Sequence, residues 1–172
     1  MKQAVLGVAL AVGLSVPAMA QDGQKASASL INDQGQSIGS ANLTQTPHGV
    51  LISLDLKGVP PGEHAFHVHE KGVCNPADKF ASAGGHYNPG KKQHGILVGD
   101  GMHAGDMPNQ FVGSDGVLKA NVLNAGVTLG SGDGTLFGND GTALVLHAKG
   151  DDYKSQPAGD AGGRIGCGVI KK

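Results

Sequence analysis

Apolar residues occupy every second position in several short runs of this 172-residue chain, and no long run has helical spacing. Successive side chains of a strand point to opposite faces, so this alternation indicates strands with one face in a core. Glycine-rich turn sequences separate the runs. Such a pattern predicts an all-β fold, an antiparallel sandwich or barrel. The candidate strands are Ala26–Ile31, Val50–Leu56, Gly62–His69, Gly116–Val122, Thr142–Ala148 and Arg164–Ile170.

Two long stretches, Lys71–Pro108 and Gly150–Gly163, show no alternation and are predicted to be loops. Structureless loops of that length in a compact domain usually serve a function. The 30 glycines follow no three-residue period, which excludes collagen, and the 39% hydrophobic content argues against disorder. The 13 Lys and Arg residues nearly balance the 14 Asp and Glu residues, so we expect no nucleic-acid partner.

The first twenty residues have the pattern of a cleaved signal peptide. Lys2 precedes an apolar run, Ala4–Leu14, and Ala18 and Ala20 form a small-x-small cleavage site. The run is shorter than the about 20 residues of a membrane span, so we expect no membrane association after cleavage. We therefore expect residues 1–20 to be removed, and residues 21–172 to form one domain in the periplasm.

Export also bears on the two cysteines. In an oxidising compartment, Cys74 and Cys167 are expected to form a disulfide, with two free thiols as the alternative. The bond would close a long loop, because 93 positions separate the two residues.

The histidines carry the chemistry of this sequence. In the candidate strand Gly62–His69, His67 and His69 share one face, while Phe66 and Val68 share the other. His147 likewise lies opposite Leu144 and Leu146, which are expected in the core. The first long loop adds His86, His94, His103 and Asp106. Six histidines and one carboxylate are an unusual accumulation for a solvated surface and instead predict a metal site.

The types of ligand narrow the metals. Four nitrogens in a tetragonal arrangement favour Cu(II), and a tetrahedral set of histidines and one aspartate favours zinc. Seven ligands fill two four-coordinate sites only if one is shared, and an imidazole can be shared through its two nitrogens. This count suggests two metals one imidazole apart, but leaves open which residue binds which metal. Two further histidines are not predicted ligands: His64 shares the core face with Phe66, and His48 lies in a turn.

Five segments make the sequence similar to a known family. The mature chain resembles the exported bacterial branch of the copper/zinc superoxide dismutases. The segments are Gly62–Glu70, Ala83–Pro89, Gln93–Gly95, His103–Asn109 and Ala161–Ile170. The resemblance implies a Greek-key antiparallel β-sandwich or flattened barrel, of immunoglobulin-like sandwich architecture, with two long functional loops. It also implies an enzyme that converts superoxide to dioxygen and hydrogen peroxide.

The resemblance further implies the roles of individual residues, with one copper and one zinc per chain. Asp151 matches an outer carboxylate that links a copper histidine to a zinc histidine, and Arg164 matches the arginine that attracts superoxide. Cys74 and Cys167 match the disulfide of the family. His86 matches the bridging histidine, common to both ligand sets. The copper set is His67, His69, His86 and His147, and the zinc set is His86, His94, His103 and Asp106.

A non-catalytic protein that binds or delivers copper is the alternative. Such a protein would be expected to lack zinc ligands, the bridge or the arginine, and this sequence has all of them. Lys79 and Lys154 lie in the two loops and are further candidates for attracting the anion. The sequence leaves open whether the chain is a monomer or a homodimer.

Overall fold

The computed structural model of the chain describes residues 23–138 and 140–172, and the fold is all-β. The signal-peptide prediction for residues 1–20 therefore lies outside the described residues. Within those residues, the structure has no helix that is long and apolar enough to cross a membrane.

In the described part of the chain, nine strands pair antiparallel, and they are numbered in chain order. Seven of them form one sheet in the order β5-β8-β9-β1-β2-β3-β7, and β4 pairs with β6. Strands β3 and β7 are neighbours although β4, β5 and β6 lie between them in the chain, as in a Greek key. The predicted antiparallel Greek-key class is therefore confirmed. The strands are β1 Lys25–Asn32, β2 Ser37–Thr46, β3 Gly49–Leu56, β4 Gly62–His64, β5 Phe66–His69, β6 Gln110–Val112, β7 Leu118–Asn124, β8 Ala143–His147 and β9 Arg164–Val169.

All six candidate runs contain strands, but the sequence pattern missed two others. The ten-residue β2 was missed because its burial alternation changes phase after Ile38. The register with β1 shifts at this point, which marks a β-bulge that turns the following side chains to the other face. Strand β6 has only three residues, too few for a period to be recognised. The run Gly62–His69 is divided at Ala65, since β4 pairs with β6 and β5 pairs with β8.

The core faces follow the predicted alternation. Phe66, Val68, Leu144 and Leu146 are buried in the main hydrophobic cluster. On the opposite face of β8, Val145 belongs to a second cluster with residues from the first long loop and β9. That loop contains two short 3₁₀ helices, Pro76–Asp78 and Ala81–Ala83. The predicted histidines on β5 and β8 point away from the main core. They are nevertheless buried, because the first long loop covers this face of the sheet.

The predicted disulfide is present. Cys74 in the first loop is bonded to Cys167 in β9 across 93 positions of sequence, so neither cysteine is a free thiol. The alternative of two free thiols is wrong. The bond fastens the loop that carries four of the candidate ligands to the sheet.

We expect Cys167→Ser to lower the free energy of unfolding by roughly 2–5 kcal/mol, because the unfolded chain gains the freedom that the long closed loop removes. Urea unfolding of the wild type and the variant measures this difference. Cys74→Ser should have the same effect, and the double variant should lose no more than either single one. Equal unfolding midpoints for wild type and variants would contradict the prediction.

Candidate metal centre

Three segments bring the seven predicted ligands together. His67 and His69 lie on β5, and His147 ends the neighbouring β8. The first long loop runs back along the free side of β5, where the backbone of Val68 bonds to Gly105 and Tyr87. This pairing places the remaining ligands beside the strand, and all seven are buried.

The first group contains nitrogen ligands only. The candidate ligand atoms of His67, His69, His86 and His147 lie within 4.8 Å of one another. His69 donates from Nδ1 to the Gly84 carbonyl at 3.0 Å, and its Nε2 lies 3.4 Å from Nε2 of His147. His147 directs Nδ1 toward the Gly162 carbonyl at 3.5 Å. Backbone carbonyls therefore orient two of the rings with Nε2 toward the centre of the group.

The second group combines three rings with one carboxylate. Asp106 Oδ1 lies 2.9 Å from His86 Nδ1, 3.0 Å from His94 Nδ1 and 3.4 Å from His103 Nδ1. The other oxygen, Oδ2, accepts hydrogen bonds from the backbone N–H groups of Gly95 and His103 at 2.9 and 3.0 Å. These two bonds hold the carboxylate so that Oδ1 faces the three Nδ1 atoms.

His86 lies between the groups. Of the described residues, it alone belongs to both. Its Nδ1 faces Asp106 in the second group, and its ring centroid lies 3.9 Å from that of His67 in the first. One imidazole can therefore contact both groups through its two nitrogens.

Asp151, at the start of the second long loop, spans the two groups from outside. Its Oδ2 lies 2.9 Å from His67 Nε2, and its Oδ1 lies 3.1 Å from His94 Nε2. Carboxylates in this position orient imidazole ligands and fix their tautomers. Here Asp151 holds the Nε2 atoms of both rings, which leaves their Nδ1 atoms facing the groups.

The ionisation of the site follows from burial and from the two carboxylates. Burial lowers the pKa of His67 to about 4 and that of His147 to about 3, and it also lowers the pKa values of His69 and His103. For His94, burial opposes the charged ring, but hydrogen bonds to Asp106 and Asp151 outweigh it and raise the pKa to about 9.

The two carboxylates show the same balance. Burial disfavours their ionised forms, but histidine hydrogen bonds outweigh it and hold the pKa values of Asp106 and Asp151 well below the usual range. Both carboxylates are therefore ionised at neutral pH, and they favour a cation among the rings.

The residues present fit bound metal ions. Within the described chain, His67 Nδ1, His86 Nε2 and His103 Nδ1 are buried and make no hydrogen bond. Burying such atoms is costly unless a partner satisfies them, and a metal ion is such a partner. The first group offers four nitrogens, which suits copper, and the second offers three nitrogens and one carboxylate oxygen, which suits zinc.

Arg164 borders the first group. It lies opposite His147 in the pairing of β8 with β9, at a bulge, and its side chain is partly buried. Its guanidinium donates to the carbonyls of Phe80 and Gly84, the latter at 2.6 Å. The Gly84 carbonyl also accepts from His69, so one carbonyl connects the arginine with a ring of the first group.

The other singled-out residues lie apart from the two groups. His64 is buried between the carbonyls of His147 and Pro60, both at 2.7 Å. A structural role of this kind was predicted because His64 shares the core face of its run with Phe66. His48 is exposed in the turn between β2 and β3, and Lys79 and Lys154 are exposed in the loops. Sequence reasoning missed Gln156, whose side-chain amide exchanges two hydrogen bonds with the main chain of His94.

Comparison with known proteins decides the family. Residues 37–170 match the family model described as "Copper/zinc superoxide dismutase (SODC)". The chain belongs to the copper/zinc superoxide dismutase family. The resemblance inferred from the sequence is thereby confirmed. As a member of this family, the chain is a superoxide dismutase, an oxidoreductase with copper and zinc as cofactors.

Relatives and solved structures agree with this family. The chain is 54% identical to "Superoxide dismutase [Cu-Zn] 2" of Aquifex aeolicus over 149 residues, 86% of either chain. It is 45% identical to a Caulobacter vibrioides Cu-Zn superoxide dismutase over 140 residues, 80% of either chain.

Among solved structures, Cu/Zn superoxide dismutase from Brucella abortus has a TM-score of 0.70 at 27% identity, covering 86% of this chain and all of that one. A double mutant of a superoxide dismutase-like protein from Bacillus subtilis has a TM-score of 0.81 at 36% identity, covering 85% and 97%. For this chain, the alternative of a non-catalytic copper-binding protein is not favoured, since the chain has both candidate ligand groups and Arg164.

Proposed function

We propose that His67, His69, His86 and His147 hold copper, and that His86, His94, His103 and Asp106 hold zinc, one ion of each per chain. The observation that carries this assignment is the position of His86, which belongs to both groups, directs Nδ1 toward Asp106 of the second group and leaves Nε2 without a hydrogen bond in the described part of the chain. When bound, copper supplies redox chemistry by alternating between two oxidation states, so that one superoxide is oxidised to dioxygen and another is reduced to hydrogen peroxide.

Forming hydrogen peroxide requires two protons, and His86 is placed to deliver one. Its Nε2 is buried and, in the described part of the chain, makes no hydrogen bond, while Asp106 holds its Nδ1 at 2.9 Å. With zinc held on the Nδ1 side, the ring would keep its orientation whether Nε2 carries a proton or not. His86 acts as both bridging ligand and proton carrier.

Arg164 binds and orients the superoxide anion. The mature chain has 13 − 1 = 12 basic residues after loss of Lys2 and 14 acidic residues, a net charge of −2, so its overall field repels the substrate. Attraction must come from local positive charge, and Arg164 supplies it beside the first group. The two carbonyls that accept from its guanidinium keep this charge in place.

Asp151 orients one histidine of each metal site. One carboxylate oxygen lies against His67 of the copper set, and the other lies against His94 of the zinc set. A ring that rotated away from the metal would lose its hydrogen bond to this carboxylate. Asp151 therefore couples the orientation of one ligand in each set.

Residues 21–172 act as the mature enzyme in the periplasm, after removal of residues 1–20. The apolar run that ends before Ala20 and the disulfide between Cys74 and Cys167 support this location, because such bonds persist in oxidising compartments. We propose that the mature enzyme is free of the membrane and is a monomer or a homodimer.

Metal analysis and activity measurements test the assignment together. The wild-type protein is expected to contain one copper and one zinc per chain and to dismutate superoxide. Asp106→Asn should weaken zinc binding by at least about tenfold. Residues that only hydrogen-bond to a metal ligand already contribute about 10- to 100-fold to metal affinity. Copper should remain bound, because Asp106 belongs to the zinc set only.

His48→Ala is the control, because His48 lies exposed in a distant turn and its loss should leave both metals bound. A wild-type zinc affinity for Asp106→Asn would contradict the zinc assignment. Metal-loaded wild type without dismutase activity would instead support a copper-binding protein.

A further inference from the structure

The main chain of Asp151 is held by one side chain at the end of the first loop. Asn109 Oδ1 accepts a hydrogen bond from the Asp151 N–H at 2.8 Å, and Asn109 Nδ2 donates to the Asp151 carbonyl at 2.9 Å. These two residues are 42 positions apart in sequence. Because the amide donates and accepts toward the same residue, both bonds keep good geometry in only one relative placement.

Asn109 is itself anchored on two sides. Its Nδ2 also donates to Glu63 Oε1 at 2.7 Å, and its backbone N–H donates to the Tyr153 hydroxyl at 2.8 Å. A Cβ at Gly150 would lie 2.9 Å from Glu63 Cδ and 3.1 Å from Asn109 Nδ2. Glycine at position 150 is therefore what lets these groups approach the chain, and the buried Asn109 has a defined position.

The carboxylate of Asp151 has little room at its other end. A Cβ at Gly159 would lie 1.8 Å from Asp151 Oδ1 and 2.8 Å from His94 Nε2. The backbone of Gly159 thus passes directly against the contact between the carboxylate and the ring. A shift of the Asp151 main chain would lengthen a bond to His67 or His94, because the carboxylate cannot compensate by moving sideways.

We propose that Asn109 is a positioning residue for the metal centre. It fixes the main chain of Asp151, so that the Asp151 carboxylate holds His67 and His94 with their Nδ1 atoms toward the metals. The inference rests on the proposed function of the two ligand groups and adds a residue that acts through Asp151 rather than on a metal.

Zinc affinity, measured on copper-loaded protein by competition with a chromophoric chelator, tests the proposal. Asn109→Asp keeps the shape of the side chain but places a carboxylate oxygen against the carbonyl of Asp151 and against Glu63, where Nδ2 now donates. Asn109→Ala removes both bonds to Asp151. Each substitution is expected to weaken zinc binding about tenfold, the lower end of the range for outer partners of ligands.

The same substitutions in an Asp151→Ala background distinguish positioning from general loosening. If Asn109 acts through Asp151, removing Asn109 has little further effect once Asp151 is gone, because the effects of coupled substitutions do not add. In that background, Asn109→Ala is therefore expected to change zinc affinity by less than about twofold. Gln45→Ala is the matched control. Gln45 is also a buried amide that bonds the main chain, at Gly49 where β3 begins and at Leu129, so its loss should lower stability and leave zinc affinity at the wild-type value.

Glu63→Ala keeps the test decisive if the Asn109 variants fail to fold. Glu63 is exposed, and its loss removes one anchor of Asn109, so a smaller weakening in the same direction is expected. Wild-type zinc affinity in the folded variants would overturn the proposal, as would a full effect in the Asp151→Ala background. A wild-type protein that binds no zinc would instead overturn the proposed zinc site.

Discussion

Replacing His86 with alanine is expected to lower kcat/KM for superoxide by at least about 100-fold, because outer partners of a metal ligand alone contribute about 10- to 100-fold. His86 belongs to both ligand groups and is the residue proposed to carry a proton at Nε2. Its loss removes a nitrogen from the copper set, a nitrogen from the zinc set and the connection between them. Dismutase rates, metal content and the visible spectrum of bound copper measure the three consequences.

The fold should survive this substitution. The main hydrophobic core lies on the far side of β5 and β8, and the disulfide still fastens the loop to β9. Thermal unfolding monitored by circular dichroism should therefore remain cooperative. His48→Ala is a suitable control, because His48 is exposed. His64→Ala is not, since His64 bonds the carbonyl of His147. A His86→Ala enzyme as active as wild type would remove the bridge from the mechanism.

Arg164→Glu is expected to lower kcat/KM at least about tenfold, because a negative charge then stands where we propose that the anion binds. The wild-type rate should fall as ionic strength rises, since salt shortens the reach of the attraction to roughly 8–10 Å near physiological strength. The variant should lose this salt dependence or reverse its sign. Stopped-flow measurement of superoxide decay across a salt series gives both quantities.

Two variants separate the local charge of Arg164 from other effects. Lys119→Glu changes the net charge by the same amount on β7, where Lys119 pairs with Asp55 on the surface, and should change the rate little. Arg164→Lys keeps the charge but not the fork that donates to two carbonyls, so it should retain the salt dependence at a reduced rate. An unchanged rate and salt slope in Arg164→Glu would place the attraction at Lys79 and Lys154 instead.

The sequence by itself determined the faces of the strands and the chemistry they present. Because side chains alternate along a strand, His67 and His69 must lie on the face opposite Phe66, away from the main core. The structure has this arrangement. The loops were predictable because alternation stops in them. Where the period was broken by a bulge after Ile38, or the strand was as short as β6, the same reasoning failed.

Only the tertiary structure decided which ring nitrogen faces which group and what holds it there. The contacts that orient the candidate ligands join distant positions: Asp151 and His67 are 84 residues apart, and Gln156 and His94 are 62 apart. No local period relates such pairs, because they meet only when the two long loops pack against β5 and β8. Asn109 lay in a segment that pointed to the family, but its bonds to Asp151 depend on the folded path of both loops. The sequence therefore determines the ligand types and strand faces through local periodicity, and long-range packing decides their orientation.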